Sequence, residues 1–397
     1  MKLFVILLFA ATYVAMIALP KWRYIVALAS AAIMIVSGAL PAAEAFGQID
    51  WNVLMMLAGT MGTVSLFIAS RMPERMADLL LKKTPNIMWV AVALAIATKL
   101  GTSPVPLLIC IAVSSNLQGA ATLVGDTTSI MLGGAANMNF VDFIFMDGKP
   151  GIFWAVELGA LATVPVIMFI FHKERGRVTV GEPAKVEDYV PSVLLLGTVV
   201  LLIAASFIPE RPALTNGFIC MGVFVIGMIY TLVCKKNAKL VKNALTEIDF
   251  QTLLLLAGLF IVIGSLTYNG IIDDISQLLV NLGGSNLFLM YTLIVWASVL
   301  FSAFIDNIPY VATMLPVVAG IASRMGCAPH LLYFGLLVGA TLGGNLTPIG
   351  ASANIAAIGI LRKAGYEVKT KEFLRIGVPF TLLAVLVGYL FCWFIWS

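Results

Sequence analysis

Long apolar runs recur along this chain almost from end to end, and they constrain its fold more than any other feature. A helix of about 20 apolar residues crosses the hydrocarbon core of a bilayer. Only 11% of the 397 residues are charged, against roughly 25% in a soluble protein. The sequence therefore excludes a soluble globule, gives no support for nucleic-acid binding and predicts an all-α polytopic membrane protein. The runs predict membrane spans at 3–19, 22–40, 51–70, 117–136, 151–171, 191–208, 213–234, 249–268, 330–361 and 375–396.

Two further apolar stretches, 87–115 and 286–325, are each interrupted near the middle by a polar turn that contains proline. The turns are Thr102-Ser103-Pro104 and residues 306–309, Asp-Asn-Ile-Pro. Because proline is favoured in the first turn of a helix, each stretch is predicted to form two short helices that fold back at a polar tip. Such a re-entrant hairpin has one alternative, a pair of kinked helices that cross the membrane.

The distribution of positive charge favours the two hairpins. If both stretches re-enter, most of the 24 Lys and Arg residues lie on one side, in loops near 21–23, 71–83, 173–185, 235–242 and 362–375. Cytoplasmic loops carry the excess of Lys and Arg in membrane proteins. We therefore expect about ten transmembrane helices and two hairpins in the cell inner (plasma) membrane, with the linker 172–190 in the cytoplasm.

That linker divides the chain into halves that resemble each other, residues 1–171 and 191–397. The residues around Asp50 and Gly59 match those around Asp249 and Gly258 at one constant offset. The set Gly119, Thr122, Gly125 and Ile130 matches Gly344, Thr347, Gly350 and Ile355 at another. An odd number of crossings separates the copies, so they are predicted to face opposite ways, each with about five transmembrane helices and one hairpin. Such an inverted repeat is typical of secondary transporters.

Polar, glycine-containing segments interrupt two apolar spans, at 114–129 and at 341–354. Unwound backbone is tolerated in a bilayer where it lines a cavity or is buried in protein. Both segments are predicted to break their helices and to meet near the midplane, where free N–H groups bind anions and free carbonyls bind sodium. Close helix packing is the simpler interpretation of Gly335 and Gly339. The predicted substrate-binding residues are Thr102, Ser103, Asn116, Thr122, Asn307, Asn345, Thr347, Ser352 and Asn354.

Ionisable residues inside the membrane are costly and therefore indicate function. Asp306 is the strongest candidate, since a carboxylate beside free carbonyls binds sodium or carries a proton. Lys99 would replace a bound cation, pair with Asp126 or extend to the cytoplasmic surface, and Glu157 is expected to be solvated at the interface. The predicted ion-coupling residues are Lys99, Asp126, Asp306 and Asn307, and a sodium ion is predicted at Asp306, Asn307, Gly344 and Thr347. No other cofactor is expected.

The sequence resembles the ion transporter superfamily, specifically its group of arsenite permeases, sodium/proton antiporters and citrate or dicarboxylate permeases. Ser302–Pro316 is similar to the second hairpin of the permease and antiporter branches, Leu342–Ile355 to the broken helix after it, and Gly119–Asp126 to the corresponding break in the first half. The resemblance implies a homodimer in which a mobile domain carries substrate across by an elevator motion. The serine-asparagine-threonine motif of dicarboxylate members is absent from the tips, and the first half is about 20 residues shorter between tip and break. We therefore hypothesise that Lys99 replaces the first cation.

These features favour a secondary active transporter of a small anion, an inorganic oxyanion or a carboxylate, coupled to sodium or protons. The alternative is a sodium/proton antiporter in which Asp306, with Asp126, exchanges the two cations. A passive channel would need a continuous polar pore. An enzyme is not expected, because the sequence has no nucleophile and base pair and no metal-ligand spacing.

Overall fold

The computed structural model of the protein describes residues 1–76, 104–172, 185–209, 211–284 and 286–397. It is mostly helical, as predicted, and a short antiparallel pair of strands, β1 (Phe145–Met146) and β2 (Lys149–Pro150), lies in one loop. The helices of the first half are α1 (Lys2–Ala18), α2 (Arg23–Val36), α3 (Ala42–Ala45), α4 (Trp51–Ala69), α5 (Pro104–Gly119), α6 (Thr127–Ala135) and α7 (Ile152–Ile170). Those of the second half are α8 (Val190–Ser206), α9 (Thr215–Val233), α10 (Ala238–Thr246), α11 (Phe250–Tyr268), α12 (Ile271–Gly283), α13 (Leu287–Ser302), α14 (Asn307–Met325), α15 (His330–Gly343), α16 (Ser352–Lys363) and α17 (Thr370–Trp396).

Among the described residues, six helices are long and apolar enough to cross a membrane: α4, α7, α9, α11, α14 and α17. Helices α1 and α2 pass the same test together and are bent by 116° at Leu19; with the pair α12 and α13 the number of spans rises to as many as eight. Helices α5, α8 and α15 are apolar but shorter. The protein is therefore an integral, multi-pass membrane protein, and the full count of ten crossings stays a prediction.

Two aspartates at matching positions of the predicted repeat begin two matching helices. The Asp50 carboxylate accepts a hydrogen bond from the Val53 N–H at 3.0 Å at the start of α4. The Asp249 carboxylate accepts one from the Thr252 N–H at 3.0 Å at the start of α11. Such side-chain acceptors satisfy backbone donors that a helix leaves free at its N-terminus, so the two halves begin these helices in the same way.

Helices of one half pack against helices of the other in a reciprocal manner. Helix α2 packs along α11, and α9 packs along α4. A Cβ atom on Gly59 would lie 2.3 Å from the backbone carbon of Cys220 on α9, and one on Gly258 would lie 2.8 Å from that of Ala27 on α2. The two matched glycines thus let the backbones approach where a larger residue would clash.

A second set of glycines lets α15 pack on α13, as the sequence predicts for Gly335 and Gly339. A Cβ on Gly335 would lie 2.6 Å from the Tyr291 ring, and one on Gly339 would lie 2.4 Å from the Val295 carbonyl oxygen. The packing interpretation of these glycines is confirmed. Helix α15 also contacts α17, which packs in turn on α7.

The helix breaks lie mostly where the sequence predicts them. Helix α13 ends at Ser302 and α14 begins at Asn307, so the break coincides with the predicted second tip. By length α14 alone spans a bilayer, and the re-entrant course of this segment stays a prediction. The predicted boundary between a hairpin ending at 115 and a span beginning at 117 is wrong. Helix α5 runs without interruption from Pro104 to Gly119, because no glycine or proline lies between Pro106 and Gly119.

Candidate functional site

The two predicted broken helices contact each other through a pair of buried asparagines. Asn116 on α5 donates through Nδ2 to the Thr341 carbonyl at 2.6 Å and to Asn345 Oδ1 at 3.1 Å. Asn345 donates in return through its own Nδ2 to the Val113 carbonyl at 2.9 Å. Asn116 is 8% exposed and Asn345 is fully buried. The amides therefore satisfy backbone carbonyls of the facing helix, which buried polar groups require.

Within each break the backbone also folds back on itself, and the two breaks do so at matching glycines. A Cβ on Gly125 would lie 2.5 Å from the Gly119 carbonyl oxygen, and one on Gly350 would lie 2.6 Å from that of Gly344. Ser129 donates to the Gly119 carbonyl at 3.0 Å. The two breaks have the same shape because the repeat places glycine at the same points of close approach.

Asn354 spans the second break in the manner that Ser129 spans the first. Its Nδ2 donates to the carbonyls of Gly344 at 3.0 Å and Thr347 at 3.1 Å. Its Oδ1 is buried and has no hydrogen-bond partner within the described part of the chain. A buried acceptor without a partner is costly, and a bound cation would satisfy it.

Thr347 connects this second break to the tip between α13 and α14. Its hydroxyl donates to the Ala303 carbonyl. A Cβ on Gly350 would lie 2.7 Å from the Ser302 carbonyl oxygen and 2.9 Å from that of Ala303. Several backbone carbonyls therefore converge where the tip meets the break.

Asp306 closes the tip and is paired with a cation from α2. Its Oδ1 accepts from the Ile308 N–H at 3.1 Å and caps α14. Its Oδ2 accepts from Arg23 Nη1 at 2.5 Å. The Asp306 side chain is 8% exposed and that of Arg23 is 24% exposed. Asp306 thus has one oxygen on a helix N-terminus and the other on a guanidinium.

Two cavities adjoin the Arg23 and Asp306 pair. A polar one of about 180 Å³ is also lined by Lys21, Thr252 and Ser352. An apolar one of about 260 Å³ has both paired residues in its wall as well; its other lining includes Tyr13, Phe304, Ile305 and Ile349. Since both cavities touch the same two side chains, the ion pair lies at their boundary.

Asp126 caps α6 at the first break. Its carboxylate accepts from the Thr127 N–H at 2.6 Å and from the Thr128 hydroxyl at 3.2 Å, and it lies within electrostatic range of Asp306. Thr128 bonds in turn to the Thr341 hydroxyl at 2.9 Å. The first break is therefore linked to the start of the second by hydroxyls as well as by amides.

The structure brings together some of the predicted site residues and separates others. Asn116, Asn345 and Thr341 form one buried cluster, whereas Ser352 lines the polar cavity beside Asp306. Asn307 is 4% exposed as the first residue of α14. Thr122 lies within the first break, where its carbonyl accepts a hydrogen bond from the Gly125 N–H. Lys99, Thr102 and Ser103 lie outside the described residues.

Sequence reasoning did not single out Arg23 and Tyr13. In the sequence Arg23 belongs to the group of positive loop residues, whereas in the structure it is the first residue of α2. The Tyr13 hydroxyl donates to the Pro309 carbonyl at 2.7 Å and bonds to Thr313. Their contacts join residues almost 300 positions apart, so no local pattern reveals them. Within the described residues, no group of three or more His, Cys, Asp and Glu side chains is arranged to hold a metal ion.

Comparisons with known proteins identify transporters that resemble this chain. A family described as "Citrate transporter" matches residues 87–339, more than half of the chain. An uncharacterized transporter of Mycobacterium bovis is 29% identical over 99% of this chain and 98% of its own length. One of Synechocystis is 30% identical over 75% of this chain and 69% of its own length. The human P protein is 36% identical over 36% of this chain and 18% of its own length.

A solved structure shares the fold. The crystal structure of the YdaH transporter of Alcanivorax borkumensis superimposes with a TM-score of 0.58 at 15% identity, covering 91% of this chain and 86% of that one. The matching family and the transporters that align along the chain confirm the predicted resemblance to the citrate permease group. The protein belongs to the citrate transporter family.

Proposed function

We propose that the protein is a secondary active transporter that moves a small anion, an inorganic oxyanion or a carboxylate such as citrate, and couples it to sodium ions or protons. The observation that carries this proposal is the contact between the two broken helices through Asn116 and Asn345, next to a tip with a paired Arg and Asp. Broken helices that meet inside a membrane protein supply free backbone groups for ions and substrate. The protein acts in this proposal as a carrier and not as an enzyme.

An anionic substrate is supported by the charge around the polar cavity. Arg23 and Lys21 line it together with two carboxylates, Asp306, which is paired with Arg23, and Asp249, which caps α11. Ser352 lies there at the first residue of α16. A helix N-terminus and two cationic side chains all favour negative charge.

A sodium ion as the coupling cation is supported by the second break. The Asn354 Oδ1 is buried without a partner among the described residues, while the Nδ2 of the same amide donates to the Gly344 and Thr347 carbonyls. Oxygen ligands of this kind suit a hard cation. The predicted set of Asp306, Asn307, Gly344 and Thr347 lies in this region, and Asn354 joins it in the proposal.

The inverted repeat, the elevator motion and the homodimer belong to the same proposal. Repeat units 1–171 and 191–397, joined by the cytoplasmic linker 172–190, are supported by the matched caps at Asp50 and Asp249 and by the matched packing at Gly59 and Gly258. We place the protein in the inner (plasma) membrane, with two re-entrant hairpins among about ten crossings.

The second candidate function is sodium/proton exchange. It is favoured by the position of two carboxylates at helix starts next to interruptions, Asp126 as the cap of α6 and Asp306 as the cap of α14. Protons and sodium ions compete for such groups, and a protein with this site would exchange them without an anion.

Transport by purified protein in liposomes separates the two functions. We expect uptake of at least one of citrate, succinate, orthophosphate and arsenite when an inward sodium or proton gradient is imposed. Proton release on addition of sodium, with no flux of any of these anions, would overturn anion transport in favour of exchange. Single-channel currents would instead indicate a channel.

A further inference from the structure

The contact between Arg23 and Asp306 joins two parts of the protein that are far apart in the sequence. Arg23 begins α2, and Asp306 precedes α14. Arg23 Nη1 lies 2.5 Å from Asp306 Oδ2, and the pair is mostly buried. A buried guanidinium needs a partner, because removal from water is costly for an unpaired charge. Whatever replaces Asp306 at this position must therefore be an anion.

An anionic substrate is a suitable replacement for Asp306 on chemical grounds. Asp306 presents one oxygen to Arg23, because its other oxygen caps α14 through the Ile308 N–H. A free carboxylate or oxyanion offers two oxygens, and the planar guanidinium donates to two oxygens in parallel. A substrate can thus satisfy Arg23 more completely than Asp306 does.

Space for such an anion is present on both sides of the pair, and the polar side has a second cation, Lys21, as well as the carboxylate of Asp249, which caps α11. The polar cavity places Lys21 and the N-terminal residue Ser352 near Arg23. No side chain of the N-cap residue Ala351 caps the first turn of α16, and a helix N-terminus favours an anion. The apolar cavity adjoins the same pair and includes Ile349 of the second break. Separation of Arg23 from Asp306 would join the two cavities beside that break.

We propose that Arg23 is the residue that binds the anionic group of the substrate, and that Asp306 occupies its guanidinium until the substrate arrives. This inference rests on the anion transport proposed above and identifies the cationic residue of that site. The anion takes the place of Asp306 Oδ2 on Arg23. The released Asp306 carboxylate then lies beside a bound anion, where the repulsion between like charges favours uptake of a sodium ion or a proton.

This exchange explains how anion and cation binding would be coupled. The anion makes Asp306 available to the cation, and the cation removes the repulsion that opposes the anion. Coupling of this kind is reciprocal, so each ligand raises the affinity for the other by the same factor. The Tyr13 hydroxyl meanwhile holds the first turn of α14 through the Pro309 carbonyl, so the ion pair can open without loss of that contact.

Binding measurements on the full-length protein in detergent test the inference. Citrate, succinate and orthophosphate serve as probes, and affinity is measured by calorimetry with and without sodium at two pH values. Arg23→Gln is expected to lower the affinity for the probe at least tenfold, since it removes a charge-assisted contact. Arg324→Gln is the control, because Arg324 lies at the other end of α14 and contacts Asp273 and Gln277; it should bind as the wild type does.

Asp306→Asn tests the exchange itself. Asparagine keeps the acceptor that caps α14, but it is neutral, so it does not neutralise the Arg23 charge, does not take up a proton and attracts a sodium ion less than a carboxylate does. Its affinity for the probe in sodium-free buffer is expected to exceed that of the wild type, with no further dependence on sodium and with only the pH dependence that the ionisation of the probe itself causes. Retention of the wild-type cation dependence in this variant would show that Asp306 does not couple the two ligands.

The double variant Arg23→Gln with Asp306→Asn separates binding from folding. It leaves no buried charge unpaired, so its thermal stability should exceed that of Arg23→Gln alone, while its probe affinity stays low. Wild-type affinity in the double variant, or a loss below tenfold in a folded Arg23→Gln protein, overturns the role of Arg23 and leaves anion transport standing. A wild-type protein that binds none of the three probes, and that takes up none of the four solutes of the liposome experiment, overturns both proposals.

Discussion

Asn116 and Asn345 each donate a hydrogen bond to the helix that carries the other. Asn116 reaches the Thr341 carbonyl and the Asn345 side chain, and Asn345 reaches the Val113 carbonyl. The helix before the first break and the start of the second break, more than 200 residues apart, are thus held together by their own side chains. Polar contacts between helices are specific but individually modest in membrane proteins, which sets the size of the effects expected from their loss.

Loss of the Asn345 amide should destabilise the protein. Asn345→Ala removes the buried hydrogen bond to the Val113 carbonyl and the side-chain acceptor of the Asn116 amide, and we expect a decrease in unfolding free energy of about 1–2 kcal/mol. Thermal unfolding in detergent measures this change. Asn281→Ala is the control, because Asn281 is exposed on α12. Equal midpoints for the two variants would show that the contact between the breaks adds no stability.

The matched glycines Gly59 and Gly258 should not tolerate even alanine. Added Cβ atoms would lie 2.3 Å and 2.8 Å from the backbones of Cys220 and Ala27, and overpacking of this kind costs about 1–3 kcal/mol. Gly222→Ala is the comparison, since a Cβ there meets nothing within 4 Å. We expect lower midpoints of thermal unfolding for both matched variants and no decrease for Gly222→Ala. Unchanged midpoints at both positions would contradict the close approach of these helices.

Sodium should stabilise the wild-type protein through Asn354. If sodium binds the folded state, a concentration of one hundred times its dissociation constant adds about 2.7 kcal/mol. The midpoint of thermal unfolding is therefore expected to rise in sodium chloride relative to choline chloride. This rise should be absent from Asn354→Ala and retained in Asn216→Ala, whose Oδ1 is also buried without a partner among the described residues but lies on α9. A rise that persists in Asn354→Ala would place the cation elsewhere.

The helix caps Asp50 and Asp249 should contribute equally to the stability of the folded protein. Replacement of either aspartate by alanine removes the acceptor for the N–H of Val53 or of Thr252, at a cost of about 1 kcal/mol. Asparagine at either position keeps an acceptor and should retain most of the stability that alanine removes. Chemical or thermal unfolding of the four single variants provides the comparison. A large loss at one position with none at the other would argue against equivalent roles in the two halves.

The sequence predicts local interruptions well, because glycine, proline and polar residues that cluster within an apolar run favour unwound backbone over a continuous helix. The break before Asn307 and the breaks after Gly119 and Gly344 follow from this reasoning. The course of α5 does not, since the polar residues Ser114, Ser115, Asn116 and Gln118 are ones that a helix accepts when a facing helix satisfies them. Asn116 has such a partner in Asn345.

The pairing of Arg23 with Asp306 lies beyond local sequence reasoning. Rules for loop charge treat Arg23 as a marker of orientation, and rules for intramembrane charge treat Asp306 as an isolated functional group. Only the tertiary fold brings the first residue of α2 to the cap of α14. The predicted cation site around Asp306 therefore acquires a competing cation from the protein itself.

The reciprocal packing of α2 on α11 and of α9 on α4 has a consequence for biosynthesis. Neither half of the chain contains the surface that covers its own glycine, because Gly59 lies against Cys220 and Gly258 lies against Ala27. Until the second half has been synthesised, α4 lacks the helix α9 that covers its backbone at Gly59. Co-translational insertion thus precedes assembly, and two polypeptides cut at the linker would need to be made together in one cell to recover a folded protein.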